Sequence, residues 1–210
     1  MNTKFFKYAG IAASVLLLAF GVGMIVTGTS AQSTVNDNLA QENITGTPDM
    51  TPALTAAAVK ESKLQGITLP TCSVANKPIN DGASAKCFAS YMRIHALEAT
   101  GGRTYSQMGQ YLTAAGKETS DKTAAATDPK TGQPTPNGAR NVWVTETALG
   151  TALNTSYFAS SVGMFAIIVG IALLLIGIGL IVLTVRWIRE PKPAASTLPK
   201  STAPIAPVPA

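Results

Sequence analysis

Few side chains in this sequence could do chemistry, and their spacing limits what they could do together. His95 is the only histidine among 210 residues. Glu98 follows three positions later, which would place an imidazole and a carboxylate on neighbouring turns of one helix. With one of the many Ser or Thr hydroxyls, that pair could form a nucleophile–histidine–acid arrangement. No Gly-x-Ser-x-Gly turn accompanies it. A lone histidine on an apolar helix face is more often a hydrogen-bonded packing residue than a base, and that is the expectation here. One histidine rules out a two-histidine metal site, and neither a phosphate loop nor GxGxxG is present. Gly101-Gly102 reads as a helix stop, not a nucleotide cradle. No enzyme activity, cofactor or metal is expected.

Cys72 and Cys87 are the only cysteines. The loop between them, CSVANKPINDGASAKC, holds Pro78, an Asn-Asp-Gly turn signal and small residues, so its ends can meet easily. A structural disulfide is expected, worth roughly 3 kcal/mol for a loop of ~15 residues in the chain-entropy model. A redox pair would favour Cys-x-x-Cys spacing, and a metal site would need more ligands.

The elements that would position these residues are mostly helices. Phe88, Tyr91, Met92, His95 and Ala99 recur at helical spacing, with Cys87 in the early turns. Thr104 and Gln107 fit a capping box for a second helix with Tyr105, Met108 and Leu112 on its apolar face and Gly116 at its end. Ala83–Ala115 therefore reads as a thin helical hairpin. A short helix is expected over Ala53–Leu64, ended by Gly66, with Lys60, Glu61 and Lys63 as its solvated face. Gln32–Pro52 reads as an extended connector. Lys117–Gly138 has almost no large apolar residue and reads as a mobile loop. From about Asn141 an apolar pattern returns without proline, through Trp143, Leu149, Leu153, Tyr157 and Phe158.

Two apolar blocks frame this region. Tyr8 to Asn36 carries no charge, and between Arg140 and Arg186 the only charge is Glu146. About 20 apolar residues span a hydrocarbon core of ~30 Å, so both blocks are long enough to be transmembrane helices. The net charge of +5 resides entirely in the flanks: Lys4, Lys7, Arg186, Arg189, Lys192 and Lys200 against Glu190. The intervening segment holds ten bases and ten acids, which excludes a nucleic-acid patch and places both ends in the cytoplasm by the positive-inside rule. Thr29-Ser30-Ala31 also resembles a signal-peptide cleavage site, but an apolar run of about 20 residues exceeds the usual 7–15. Retention of the first helix is expected.

The fold class is thus an all-α membrane protein. Residues 1–7 form a cytoplasmic N-terminus, 8–29 and 161–185 the two transmembrane helices, and 30–160 a disulfide-stapled extracytoplasmic region. Residues 186–210 form a cytoplasmic tail. Six of the thirteen prolines fall in Pro191–Ala210, so the tail is expected to be disordered, with Thr197, Ser201 and Thr202 as possible phosphate acceptors. Tyr157, Phe158 and Trp187 would be interfacial anchors.

Neither apolar block has an ionisable residue in its core, which argues against an ion or proton pathway. Both have small residues every seven positions, Ser14, Gly21 and Gly28 in the first and Gly163, Gly170 and Gly177 in the second. A step of seven returns to nearly the same face, so each helix offers a groove for close backbone approach. The grooves could pack the two helices on each other or dock another membrane protein. The partners expected are therefore the lipid bilayer and a membrane protein or a second copy.

The string His95-Ala-Leu-Glu-Ala-Thr-Gly-Gly-Arg-Thr-Tyr105 resembles a segment found between two transmembrane helices in a group of uncharacterised actinobacterial membrane proteins, where it reads HALxATGGKTY. The resemblance extends to ENIT at Glu42–Thr45 and to TALNTSYFASSVGMFA before the second helix. Arg103 replaces the usual Lys, and the insertion after Gly116 is longer. The resemblance implies a two-pass envelope protein and marks His95, Glu98, Gly101, Gly102, Arg103 and Tyr105 as a motif of unassigned role. Members are sometimes labelled aromatic ring-opening dioxygenases. Such enzymes hold iron with two histidines and a carboxylate, which one histidine cannot supply. The function expected is a non-enzymatic accessory or scaffolding protein, with an envelope sensor or ligand-binding module as the alternative.

Overall fold

The computed structural model describes residues 3–189. The expectations made for the Pro-rich tail, its phosphate acceptors and the Trp187 side chain lie outside the described residues. Four α-helices carry the structure: α1 (Thr3–Gln41), α2 (Pro52–Glu61), α3 (Gly82–Ala99) and α4 (Gly138–Arg189). Helices α1 and α4 are long and apolar enough to cross a membrane. At 39 and 52 residues they run about 58 and 78 Å, well beyond a ~30 Å apolar core. Their polar extensions carry the rest of the protein.

Helices α1 and α4 pack antiparallel along the seven-residue pattern, with Gly21 on Gly170, Gly28 on Gly163 and Ser14 on Gly177. Four of these six small residues also receive a large side chain from the opposite helix. Leu18 fills the space over Gly177, Ile25 that over Gly170, Leu174 that over Gly21 and Ile167 that over Gly28. This large-into-small exchange lets the backbones approach so closely that a Cβ on Gly28 would stand 2.5 Å from the Gly163 carbonyl oxygen. At the end of the seam Gln32 and Ser160 exchange two 2.7 Å hydrogen bonds, the amide donating to the Ser160 carbonyl and the Ser160 hydroxyl to the Gln32 side chain. The large apolar side chains on the remaining faces point outward, with Phe20 66% exposed and Phe165 65%.

Helix α1 does not stop at the end of its apolar block. Gln32–Gln41, expected as an extended connector, forms its last turns. Val35 and Leu39 supply an apolar face there at a spacing of four, and Leu39 is buried against Met50, Val74, Ile79, Phe88, Tyr91 and Leu153. Tertiary packing of that face outweighs the weak helix propensity of the surrounding Asn, Ser and Thr. Asn43, at φ 55°, then turns the chain. Beyond it the Ile44 carbonyl accepts from Ile79 N–H at 2.9 Å and Gly46 N–H donates to the Lys77 carbonyl at 3.0 Å, pairing the ENIT patch with the cysteine loop. That loop is closed by the Cys72–Cys87 disulfide, and the buried Tyr91 hydroxyl donates to the Cys72 carbonyl. Helix α2 begins one residue earlier than expected, with Thr51 as N-cap and Pro52 in its first turn.

Helix α3 is opened by a capping box between Asp81 and Ser84, and its first turn lies on α4, where a Cβ on Gly82 would meet Ser160. Its buried face differs from the one expected. Phe88 and Tyr91 are buried, but Ala99 is exposed, and Ala85, Ala89, Ile94, Ala96 and Leu97 complete the packing. Small alanines are buried because α3 lies between the α1 end and α4.

The second helix of the expected hairpin does not form. Its capping box is present, with the Gln107 side chain accepting from Thr104 N–H at 2.7 Å, but it opens only a 3₁₀ turn, Tyr105–Gln107. Met108 is already extended, at φ −106° and ψ 142°. Strand β1 (Tyr111–Leu112) then pairs antiparallel with β2 (Glu118–Thr119), and Gly116, at φ 73°, makes the turn. Close approach explains the break in helical spacing, because any Cβ on Gly109 would collide with the Thr119 backbone. The segment 117–138, expected as a mobile loop, folds back on this hairpin. Leu112 N–H donates to the Thr135 carbonyl, Ala126 N–H to the Leu112 carbonyl and Asn137 N–H to the Gln110 carbonyl, at 2.8 to 3.0 Å. Apolar burial was the wrong criterion there; backbone pairing and the Asp121 and Asp128 turns satisfy the polar groups instead.

Candidate functional site

The residues from His95 to Tyr105 form a junction between α3, the β-hairpin and α4. The chain leaves α3 through Thr100, Gly101 and Gly102, the two glycines at φ 63° and 78°. Gly102 N–H reaches back to the Leu97 carbonyl at 2.8 Å, so the pair terminates the helix as its composition suggested. The buried Thr100 hydroxyl lies 2.7 Å from both the Ala96 and the Arg103 carbonyl and donates its one proton to either. Trp143 of α4 enters this turn, its indole N–H donating to the Arg103 carbonyl at 2.8 Å. It packs with Ala96, Leu97 and Met108 in a second small core. The role of Trp143 was not visible in the sequence, where it stood only as one apolar residue in the pattern that begins near Asn141.

Arg103 makes a two-pronged ion pair with Glu118 at 2.6 and 3.0 Å, tying the turn to β2. That hydrogen-bonded guanidinium holds the Glu118 carboxyl below its ordinary range, helped by Asn137 and by the Gly109 N–H. Tyr105 is exposed on one face while the Arg140 guanidinium lies 3.8 Å from its ring centroid. His95 is one-third exposed, with Nε2 3.1 Å from an Asp49 carboxylate oxygen. The Asp49 carboxyl is held low first by a hydrogen bond from the Thr47 side chain and, to a smaller degree, by His95. The His95 imidazole turns to Asp49, and no hydrogen bond or ion pair joins it to Glu98 among the described residues. Glu98 Oε1 and Arg140 Nε are buried without hydrogen-bond partners among the described residues.

Two clefts follow the seam between α3 and α4. One, of about 590 Å³, is lined by Met92, His95, Ala99, Asn141 and Val142. The other, of about 540 Å³, is lined by Ser90, Arg93, Glu146, Gly150, Asn154 and Phe158. Glu146 borders both and is only 8% exposed. In the sequence it stood out as the single charge in an apolar stretch; a polar position within a helix that must pack on two neighbours was the signal that could have singled it out.

Among the described residues, no group of three or more His, Cys, Asp and Glu is placed to hold a metal ion. No protein-family model, curated protein or solved structure matches the chain.

Proposed function

We propose that this chain is a two-pass membrane protein with both ends in the cytoplasm and residues 30–160 outside, serving as a non-enzymatic accessory or scaffolding protein of the cell envelope. The observation that carries the membrane part is the inverted polarity of the α1–α4 pair. Its small residues face inward and most of its large apolar side chains face outward, so only 11% of the most apolar stretch of each helix is buried. Water would penalise that surface at roughly 25 cal/mol per Å², whereas lipid would not. A matched seven-residue register on both helices also favours keeping α1, since a removable leader has no need of a packing partner.

The accessory role rests on what the distinctive residues do. His95 contacts the α1–α2 connection, Thr100 and Arg103 receive Trp143, and Arg103 pins the β-hairpin. ENIT joins α1 to the cysteine loop, and Leu153 and Ser160 join α4 to α3 and α1. These groups hold a shape. The glycine grooves are filled within the hairpin, so a partner would meet the ectodomain or the outward apolar faces. Purification of the tagged full-length protein from its host in mild detergent tests this: a stoichiometric membrane partner, cross-linked through ectodomain positions such as Tyr105, is expected. A solitary protein would count against it.

A sensor is the second reading, favoured by the continuity of α4 from Gly138 to Arg189. Movement of α3 on α4 would be carried through the bilayer by one unbroken helix. Removing the tail separates the two, since a sensor would lose its output and a scaffold would keep its partner.

A further inference from the structure

We propose that the cleft bordered by Arg93 and Glu146 binds a small zwitterion of the amino-acid type, its ammonium paired with Glu146 and its anionic group with Arg93. The starting point is Glu146. It is more than nine-tenths buried, yet no ion pair to it occurs among the described residues, and its one hydrogen bond is a 3.4 Å contact from the neighbouring Thr147 hydroxyl. Burying a carboxylate without a cation is costly. Its oxygen lies along α4 towards Gly150, 3.5 Å from where a Cβ would stand, so the missing side chain at Gly150 leaves the carboxylate open to the cleft.

The other lining residues define the ligand's remaining half. Arg93 lies exposed on the same cleft, its guanidinium 5.4 Å from the Trp143 ring centroid, a stack that leaves donors for an anion. Ser90, Thr147, Thr151 and Asn154 line the same cleft and supply neutral hydrogen-bonding groups. One buried acid, one exposed base and hydroxyls around them match a ligand of zero net charge carrying both signs. The volume of about 540 Å³ falls in the range of small-molecule sites.

An ammonium beside an anionic group also occurs in a phosphoethanolamine lipid headgroup, and position decides between the sources. Phe158 is the first exposed aromatic of the apolar stretch, and Glu146 precedes it by about 18 Å along α4. A headgroup would have to climb that distance from the bilayer, so the soluble zwitterion is the better fit. The inference goes beyond the scaffolding role, and its choice of a soluble source rests on the proposed membrane placement of α4.

The test uses the full-length protein in phosphatidylcholine nanodiscs, titrated with the common free amino acids one at a time. Trp143 fluorescence and thermal unfolding are the readouts. At least one amino acid is expected to give a saturable response, weakened about tenfold in Glu146→Gln and in Arg93→Gln, the loss for one charged contact. Gly150→Val, which fills the cleft and keeps both charges, should weaken it similarly even if Glu146→Gln fails to fold. No response to any amino acid overturns the proposal. A response unchanged in all three variants, or one seen only in discs containing phosphatidylethanolamine, overturns it equally.

Discussion

Replacing Gly28 with alanine should loosen the α1–α4 pair, while the same change at Gly23, five residues away on the same helix, should not. A Cβ at Gly28 would stand 2.5 Å from the Gly163 carbonyl oxygen and 2.7 Å from Ile167 Cγ1. Ordinary contact begins near 3.4 Å, so the shortfall is about 0.9 Å. The carbonyl belongs to a helix and cannot swing aside without breaking a backbone hydrogen bond, so the helices must part locally. A gap of 0.5–1 Å forfeits roughly a quarter to a half of each facing dispersion contact, and forced overpacking costs about 1–3 kcal/mol. At Gly23 nothing lies within 4 Å, so alanine should be neutral or favourable by up to about 1 kcal/mol. Unfolding free energies measured in bicelles by steric trapping would separate the two. Equal tolerance at both positions, or greater sensitivity at Gly23, would refute the packing register.

Three further outcomes follow from the region between α1 and α4. Removing the Cys72–Cys87 link by double serine substitution should lower the stability of this region by about 3 kcal/mol for a 15-residue separation, read by denaturant unfolding of the oxidised protein and the variant. Trp143→Ala should cost about 3–5 kcal/mol, because it empties the second core and leaves the Arg103 carbonyl without its indole donor; protease sensitivity within 100–137 should rise with it. Stability should fall as the solution is acidified below about pH 4.5. The Glu118 carboxyl is lower in the folded protein than its ordinary 4.5, so through that window the unfolded chain binds more protons and protonation favours unfolding. Glu118→Gln should flatten this part of the profile, and an unchanged slope would show that the Arg103 pair does not set it.

The helices announced by periodicity or by apolar length were legible: α2, α3, α4 and the apolar part of α1. So were the cysteine pairing and the small residues that face each other across the seam. The parts that were not legible share a cause. The end of α1 is polar in composition and helical only because Val35 and Leu39 find the core, a contact no local window contains. The segment from Tyr105 to Leu112 has helical spacing and a cap, yet a close backbone approach at Gly109 and pairing with β2 favour the strand. The loop over 117–138 is held by backbone hydrogen bonds that composition does not encode. Glu146 and Trp143 matter because α3 lies on them, and that placement is set by the α3 cap at Asp81 and the contact of Gly82 with Ser160.

The central claim, a two-pass hairpin with residues 30–160 outside, is tested most directly by single cysteines introduced at Ser120 and at Thr197, with the native pair left oxidised. Each is probed in intact and permeabilised cells with a membrane-impermeant maleimide. The account predicts that Ser120→Cys is labelled in intact cells and Thr197→Cys only after permeabilisation. Labelling of Thr197→Cys in intact cells, or protection of Ser120→Cys until the membrane is opened, would contradict it.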